Sequence, residues 1–301
     1  MTCPICGGTV AFASAQVRGG RTLELGRCEA CDFEFFAHDP SEGLADDRLD
    51  AARLTSAGLA IPELEEDFAN GKAQSVPYLD AYLGDGGNVL EIGCSWGYLL
   101  DLARERGARP FGVELNRVRR DYVADTLGIP CDLTLDECEA RGTRFRTIFM
   151  LWVLEYVRDP VAYVRRVVDL LEDGGSLVVV TPNLHDPLLE IWRNEAFRAF
   201  FHNEFSVSYF SVRALERLLT QIEASGTVRT LEGYSIVSHL SWFLTNAPRT
   251  TGVVGGDRLV EEIAARVGGD VAKLVADVDA RYRTLLEEQS LGNQLHAVVT
   301  R

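Results

Sequence analysis

The chain has 301 residues, 47% of them hydrophobic, and a formal charge of -15 at neutral pH. This is enough for one large domain plus a small one with a sizeable core. The acidic balance opposes a nucleic acid as the main ligand, because that binding rests on clustered Lys and Arg. No apolar run reaches the roughly 18–20 residues of a membrane span, and "MTCPICGG" has neither the basic nor the apolar region of a signal peptide. A cytoplasmic protein is therefore expected. Seven cysteines, an odd number, argue against a disulfide framework.

The chain opens with "CPIC" (Cys3, Cys6) and, after 21 residues, "CEAC" (Cys28, Cys31). Two C-x2-C knuckles supply four thiolates, the set that zinc takes as a tetrahedron. The segments between them alternate like two strands around the turn "RGG". Residues 1–40 are read as a zinc ribbon. Four thiolates leave the metal no open position, so its role would be structural. Phe33, Phe35 and Phe36 in "DFEFFAH" would pack the ribbon onto the next domain. Residues 41–73 are acidic and read as a linker with helices such as "IPELEEDFANG".

From residue 74 strands and helices alternate. "VPYLDAYLG" reads as a helix, "NVLEIG" as a strand, "YLLDLARERG" as a helix and "RPFGVELN" as a second strand. "RVRRDYVADTLG" reads as a helix, "IPCDLTL" as a short third strand and "FRTIFMLWVL" as a fourth. "PVAYVRRVVDLLEDGG" reads as a helix ending at Gly174 and Gly175, and "SLVVVTPN" as a fifth strand. Apolar strands alternating with helices predict an α/β fold, a mostly parallel sheet covered on both faces. Ligands bind such sheets at the carboxyl ends of the strands.

The first of those ends reads "LEIGCSWG". It is not a P-loop, since no Lys follows, nor a dinucleotide fingerprint, since Ser95 stands two residues after Gly93. What remains is E-x-G-x-x-x-G, with Glu91, Gly93 and Gly97. A carboxylate here suits a cationic ligand portion rather than a phosphate.

This stretch resembles the first motif of the class I S-adenosylmethionine-dependent methyltransferases, with Ser95 in place of the middle glycine. "FGVELN", "TIFMLWVLEYVRDP", "LVVVTPN", "VSYFSVRALERLL" and "GNQLHAVVTR" resemble that family's later motifs in order. The resemblance implies a Rossmann-like domain over 74–301 with a seven-stranded sheet, and with the ribbon it is similar to the zinc-bearing branch that acts on small molecules. It also implies S-adenosylmethionine as cofactor. Glu91 would order the loop or meet the methionine ammonium, Gly93, Cys94 and Gly97 would line the methionine end, and Glu114 would bind the ribose. Leu115, Thr134 and Leu135 would wrap the adenine, and Leu151 and Trp152 would border methionine and acceptor. Methyl transfer needs the acceptor held in line with the sulfonium, and an oxygen or carbon acceptor also needs a base. The family often has His where this chain has Tyr156. Glu155, Tyr156 and His202 are the candidate bases, with His239 behind them.

"DRLVEEIAARVGGDVAKLVADVDARYRTLLEEQ" is helical by period, broken at Gly268 and Gly269, within an insertion at about 245–290. Its apolar stripe would pack on its own domain or form a dimer face, so monomer and homodimer both stay open. "PRTTGVVGGD" before it reads as a loop. The leading reading is methyl transfer to the O, C or N of a small molecule. A zinc-ribbon RNA methyltransferase and a cofactor-binding module without activity are the alternatives.

Overall fold

The structure, a computed structural model, describes residues 2–38, 61–84, 86–203, 205–247 and 259–301. Most of the expected linker and the whole of the loop "PRTTGVVGGD" lie outside the described residues. Two sheets share one core.

The small sheet is the ribbon. Strands β1 (Val10–Gln16), β2 (Thr22–Cys28) and β3 (Glu34–Phe36) form an antiparallel meander. Its fourth strand comes from far along the chain. β9 (Ser208–Tyr209) pairs with β3, Glu34 opposite Tyr209 and Phe35 opposite Ser208. Phe33 is 1% exposed and lies 5.0 Å from the ring of Phe210, itself fully buried. Phe36 lies edge-on to Tyr209. Cys3, Ile5, Cys28, Cys31 and Phe33 belong to the same apolar cluster as the large sheet's Leu90, Ile148 and Val179. The ribbon thus has no separate core, as expected of a segment too small to build one.

The large sheet has seven strands in the order β10-β11-β8-β7-β4-β5-β6. These are β4 (Asn88–Ile92), β5 (Arg109–Val113), β6 (Cys131–Asp132), β7 (Phe145–Leu151), β8 (Leu171–Pro182), β10 (Ser225–Leu231) and β11 (Gln294–Thr300). β11 runs antiparallel to both its neighbours, and the other pairs are parallel. β4, buried on both faces, is the near-continuous apolar run that such a sheet requires.

Three helices depart from the sequence reading. α1 (Ile61–Tyr82) is one helix that joins "IPELEEDFANG" to "VPYLDAYL", so residues 73 and 74 lie mid-helix and Pro77 is inside it. The segment after β5 begins as α3 (Arg117–Asp121), capped by Asn116, and continues as a π-helical turn, Tyr122–Thr126. The helix expected to reach Gly174 is α5 (Pro160–Asp169), started by the Asp159 cap and Pro160. It ends early because Leu171 already pairs with Phe145, and Gly174, at φ +74°, lies in the bulge that follows.

If the ribbon and the sheet share a core, they unfold together. Phe33→Ala should lower the unfolding free energy by about 3–5 kcal/mol and shift the single urea transition of the whole chain. A large-domain transition left in place would show two independent units.

Candidate functional site

β4 ends in a buried carboxylate. Glu91 is 8% exposed, and its Oε2 is buried with no hydrogen-bond partner among the described residues. Burial first, then the nearby Glu114 carboxylate, pushes its pKa well above the ordinary range. The turn after it is tied to β5, since Gly93 and Cys94 both donate to the Val113 carbonyl, at 2.7 and 3.2 Å. Gly93 has φ +75°, and a Cβ there would come within 2.5 Å of Val153. Gly97, at φ +81°, starts helix α2 (Tyr98–Glu105). Both positions need glycine.

Glu114 closes the neighbouring strand. Its Oε2 accepts from the Ser95 amide at 2.9 Å and its Oε1 from the Asn116 amide at 2.8 Å. The side chain is fixed in place while each oxygen keeps a second lone pair. Leu115 beside it is 75% exposed. Cys94 is present, but its thiol turns inward, 3.7 Å from that of Cys131 over the bare backbone of Gly112. Only its backbone can face the opening.

Across from these, β7 ends at half-buried Leu151 and then at Trp152, which is 39% exposed and held at φ +59°. Such a backbone costs energy in a bulky residue and is common at ligand sites. A hydrogen bond from the Trp152 amide to the Val180 carbonyl, 2.8 Å, holds it. Glu155 lies next in a buried turn and accepts from the Thr181 hydroxyl at 3.0 Å. Burial raises its pKa to about 7, against the opposing pull of its own amide and of Thr181. Tyr156 is 52% exposed, and Ser206 lies beside its hydroxyl. Glu91, Gly93, Gly97, Glu114, Leu115, Leu151, Trp152, Glu155 and Tyr156 therefore stand at the carboxyl ends of β4, β5 and β7.

Thr134 and Leu135 follow the carboxyl end of β6, at the same edge of the sheet, and the two histidines lie elsewhere. Thr134 caps helix α4 (Leu135–Ala140), its hydroxyl accepting from the Glu137 amide at 3.3 Å. Leu135 is packed into the core. His202 is buried at the ribbon seam, its Nε2 3.2 Å from Oε2 of Glu34 on β3. His239 is buried under the C-terminal helices, 2.7 Å from the Tyr282 hydroxyl. Sequence reasoning missed Thr181 and Ser206, the partners of Glu155 and Tyr156. A polar residue closing the apolar run "LVVV" was the one signal for Thr181.

The sulfurs of Cys3, Cys6, Cys28 and Cys31 all lie within 4.8 Å of one another. The pairs Cys3–Cys31 and Cys6–Cys28 are 3.6 and 3.5 Å apart. A tetrahedron with zinc–sulfur bonds of about 2.3 Å has edges of roughly 3.8 Å, so the four thiols have the spacing such an ion needs.

The buried carboxyls make stability depend on pH. Glu155 holds its proton to about 7 when folded and, by its ordinary value of 4.5, loses it sooner when unfolded. Its stabilising share is complete below the unfolded value and is lost as pH rises through the folded one. Asp186, raised to about 7, and Glu232, raised to about 8, act in the same direction, burial being the main cause in each. The unfolding free energy should therefore fall between pH 5 and 8. Glu155→Gln should remove a part on the order of 3 kcal/mol from that slope, as read by urea titrations at a series of pH values.

A family model described as a methyltransferase domain matches residues 65–224, more than half of the chain. A ubiquinone biosynthesis O-methyltransferase of Cereibacter sphaeroides is 30% identical over 105 residues, 33% of this chain and 42% of that protein. Sphingolipid C9-methyltransferase B of Emericella nidulans is 28% identical over 155 residues, 48% of this chain and 30% of that protein. The chain spans less than half the length of these curated relatives. A SAM-dependent methyltransferase structure from Archaeoglobus fulgidus overlays with a TM-score of 0.49 at 13% identity, over 78% of this chain and 94% of that one. With a match that runs from inside α1 past β9, over the glycine turn and both strand-end acids, the chain belongs to the methyltransferase-domain family.

Proposed function

We propose that the protein transfers a methyl group from S-adenosylmethionine to a small-molecule acceptor. The observation that carries this reading is the unpartnered Glu91 Oε2 beside a firmly held Glu114. Glu91 would take the cofactor's ammonium as the partner it lacks. Glu114 would accept from the ribose hydroxyls with the lone pairs its two backbone partners leave free. The backbone of Gly93, Cys94 and Gly97 lets the methionine portion approach closely, and exposed Leu115 covers the adenine. Thr134 and Leu135 contribute through the backbone of their turn, since their side chains are engaged elsewhere. Leu151 and Trp152 separate the cofactor from the acceptor.

When bound, the cofactor supplies a sulfonium that is already electrophilic, so the protein's main task is alignment. Glu155 and Tyr156, in the turn after β7, are the groups that would take a proton. Glu155 is the better matched of the two, with a pKa near 7. His202 would act only if its tie to Glu34 were released. The matched relatives are named for O- and C-methylation of small molecules, and the charge of -15 favours such an acceptor over a nucleic acid. Zinc on Cys3, Cys6, Cys28 and Cys31 would be structural.

Calorimetric titration with S-adenosylhomocysteine tests the reading, with zinc quantified in the same sample. Binding is expected, with about one zinc per chain. Glu114→Ala should weaken binding at least about 100-fold, the loss of two charge-assisted hydrogen bonds. No binding by folded, zinc-loaded protein would overturn the enzyme reading.

A further inference from the structure

Helices α10 (Leu259–Val267) and α11 (Gly269–Glu288) lie between β10 and β11. α11 has two apolar faces. One is used within the chain, where Asp279 and Leu286 are buried and Tyr282 bonds to Trp192 and His239. The other, about 100° round the helix, faces outward. Val271, Leu274, Val278 and Leu285 on it are 56%, 61%, 45% and 50% exposed. With Arg281 they step by three, four, three and four residues. That is the 3.5-residue period of a seam between two helices.

We propose that this seam joins two copies of the chain, α11 against α11, antiparallel about a two-fold axis. An isologous contact must be self-complementary, and this one is. Leu274 packs on the partner's Val278, and Val278 on the partner's Leu274. Val271 lies opposite the partner's Arg281, whose guanidinium then reaches Asp270, next to Val271. Neither Arg281 nor Asp270 has an ion pair among the described residues of its own chain. Leu285 passes the start of the facing helix and meets the partner's Val267, on a residue 53% exposed in the free chain. Asp277 faces its own copy near the axis, and Arg281 one turn on offsets that repulsion. A parallel pairing would set Arg281 against Arg281 in the seam, which argues for the antiparallel one.

One helix pair is a small interface, so the dimer should be weak, with a dissociation constant on the order of 10 µM. Sedimentation velocity of the zinc-loaded full chain from about 1 to 200 µM tests this, spanning that constant on both sides. The mass should rise from monomer to dimer across the range. Leu274→Glu should leave only monomer. Arg281→Asp should weaken the dimer about tenfold or more, and adding Asp270→Arg should restore it to within about threefold. All three positions are exposed, and circular dichroism checks that each variant folds. A monomer throughout, or a dimer that Leu274→Glu leaves intact, overturns the proposal. Failure of the double swap to restore the dimer overturns the antiparallel register.

Discussion

The structure turns on a carboxylate buried without a full set of partners. A charge out of water is costly unless paired, and Glu91 Oε2 has no partner among the described residues. Glu114, one strand away, is equally buried yet holds two backbone amides. The surrounding geometry keeps the first acid poised. Gly93 lets the turn pass under Val153, and Gly112, opposite Glu91 in the sheet register, leaves room for Cys94 and Cys131 to tuck away. The strand end thereby keeps two buried acids side by side, one of them without a partner among the described residues, an arrangement a cationic ligand would complete.

The ribbon bears on the other side of that opening. β3 donates from the Phe36 amide to the Val207 carbonyl at 3.1 Å, and the Val207 amide donates to the Glu155 carbonyl at 2.8 Å. Two backbone bonds thus separate the sheet that carries the four-cysteine cluster from the turn that carries Glu155 and Tyr156. Ser211, which caps helix α8 (Val212–Gln221), also donates from its hydroxyl to the Cys31 carbonyl at 3.2 Å. A structural metal here would brace the acceptor side of the site.

The local parts of this arrangement were legible in the sequence. The apolar run into Glu91, the acid after "FGV" and the paired C-x2-C knuckles each sit within a few residues and announce their own chemistry. The fold class followed from the alternation of strands and helices. What was not legible depends on contacts between distant residues. Nothing near His202 announces Glu34, 168 positions away, and that pairing makes the histidine a seam residue in this structure. Leu135 reads like a site residue by position, yet the short β6 and the cap at Thr134 turn it into the core. Helix ends were misjudged where tertiary pairing overrode local signals, as at Leu171.

The most direct test of the account asks whether the ligand relieves Glu91. Its carboxyl is protonated well above the ordinary range in the free protein, and an ammonium beside it would favour the ionised form. Binding of S-adenosylhomocysteine, followed over a series of pH values, should therefore release up to about one proton, seen as a binding heat that varies with the ionisation enthalpy of the buffer. Glu91→Gln should abolish that variation. Binding with the same heat in every buffer, in the wild-type protein, would contradict the claim that Glu91 waits for a cation.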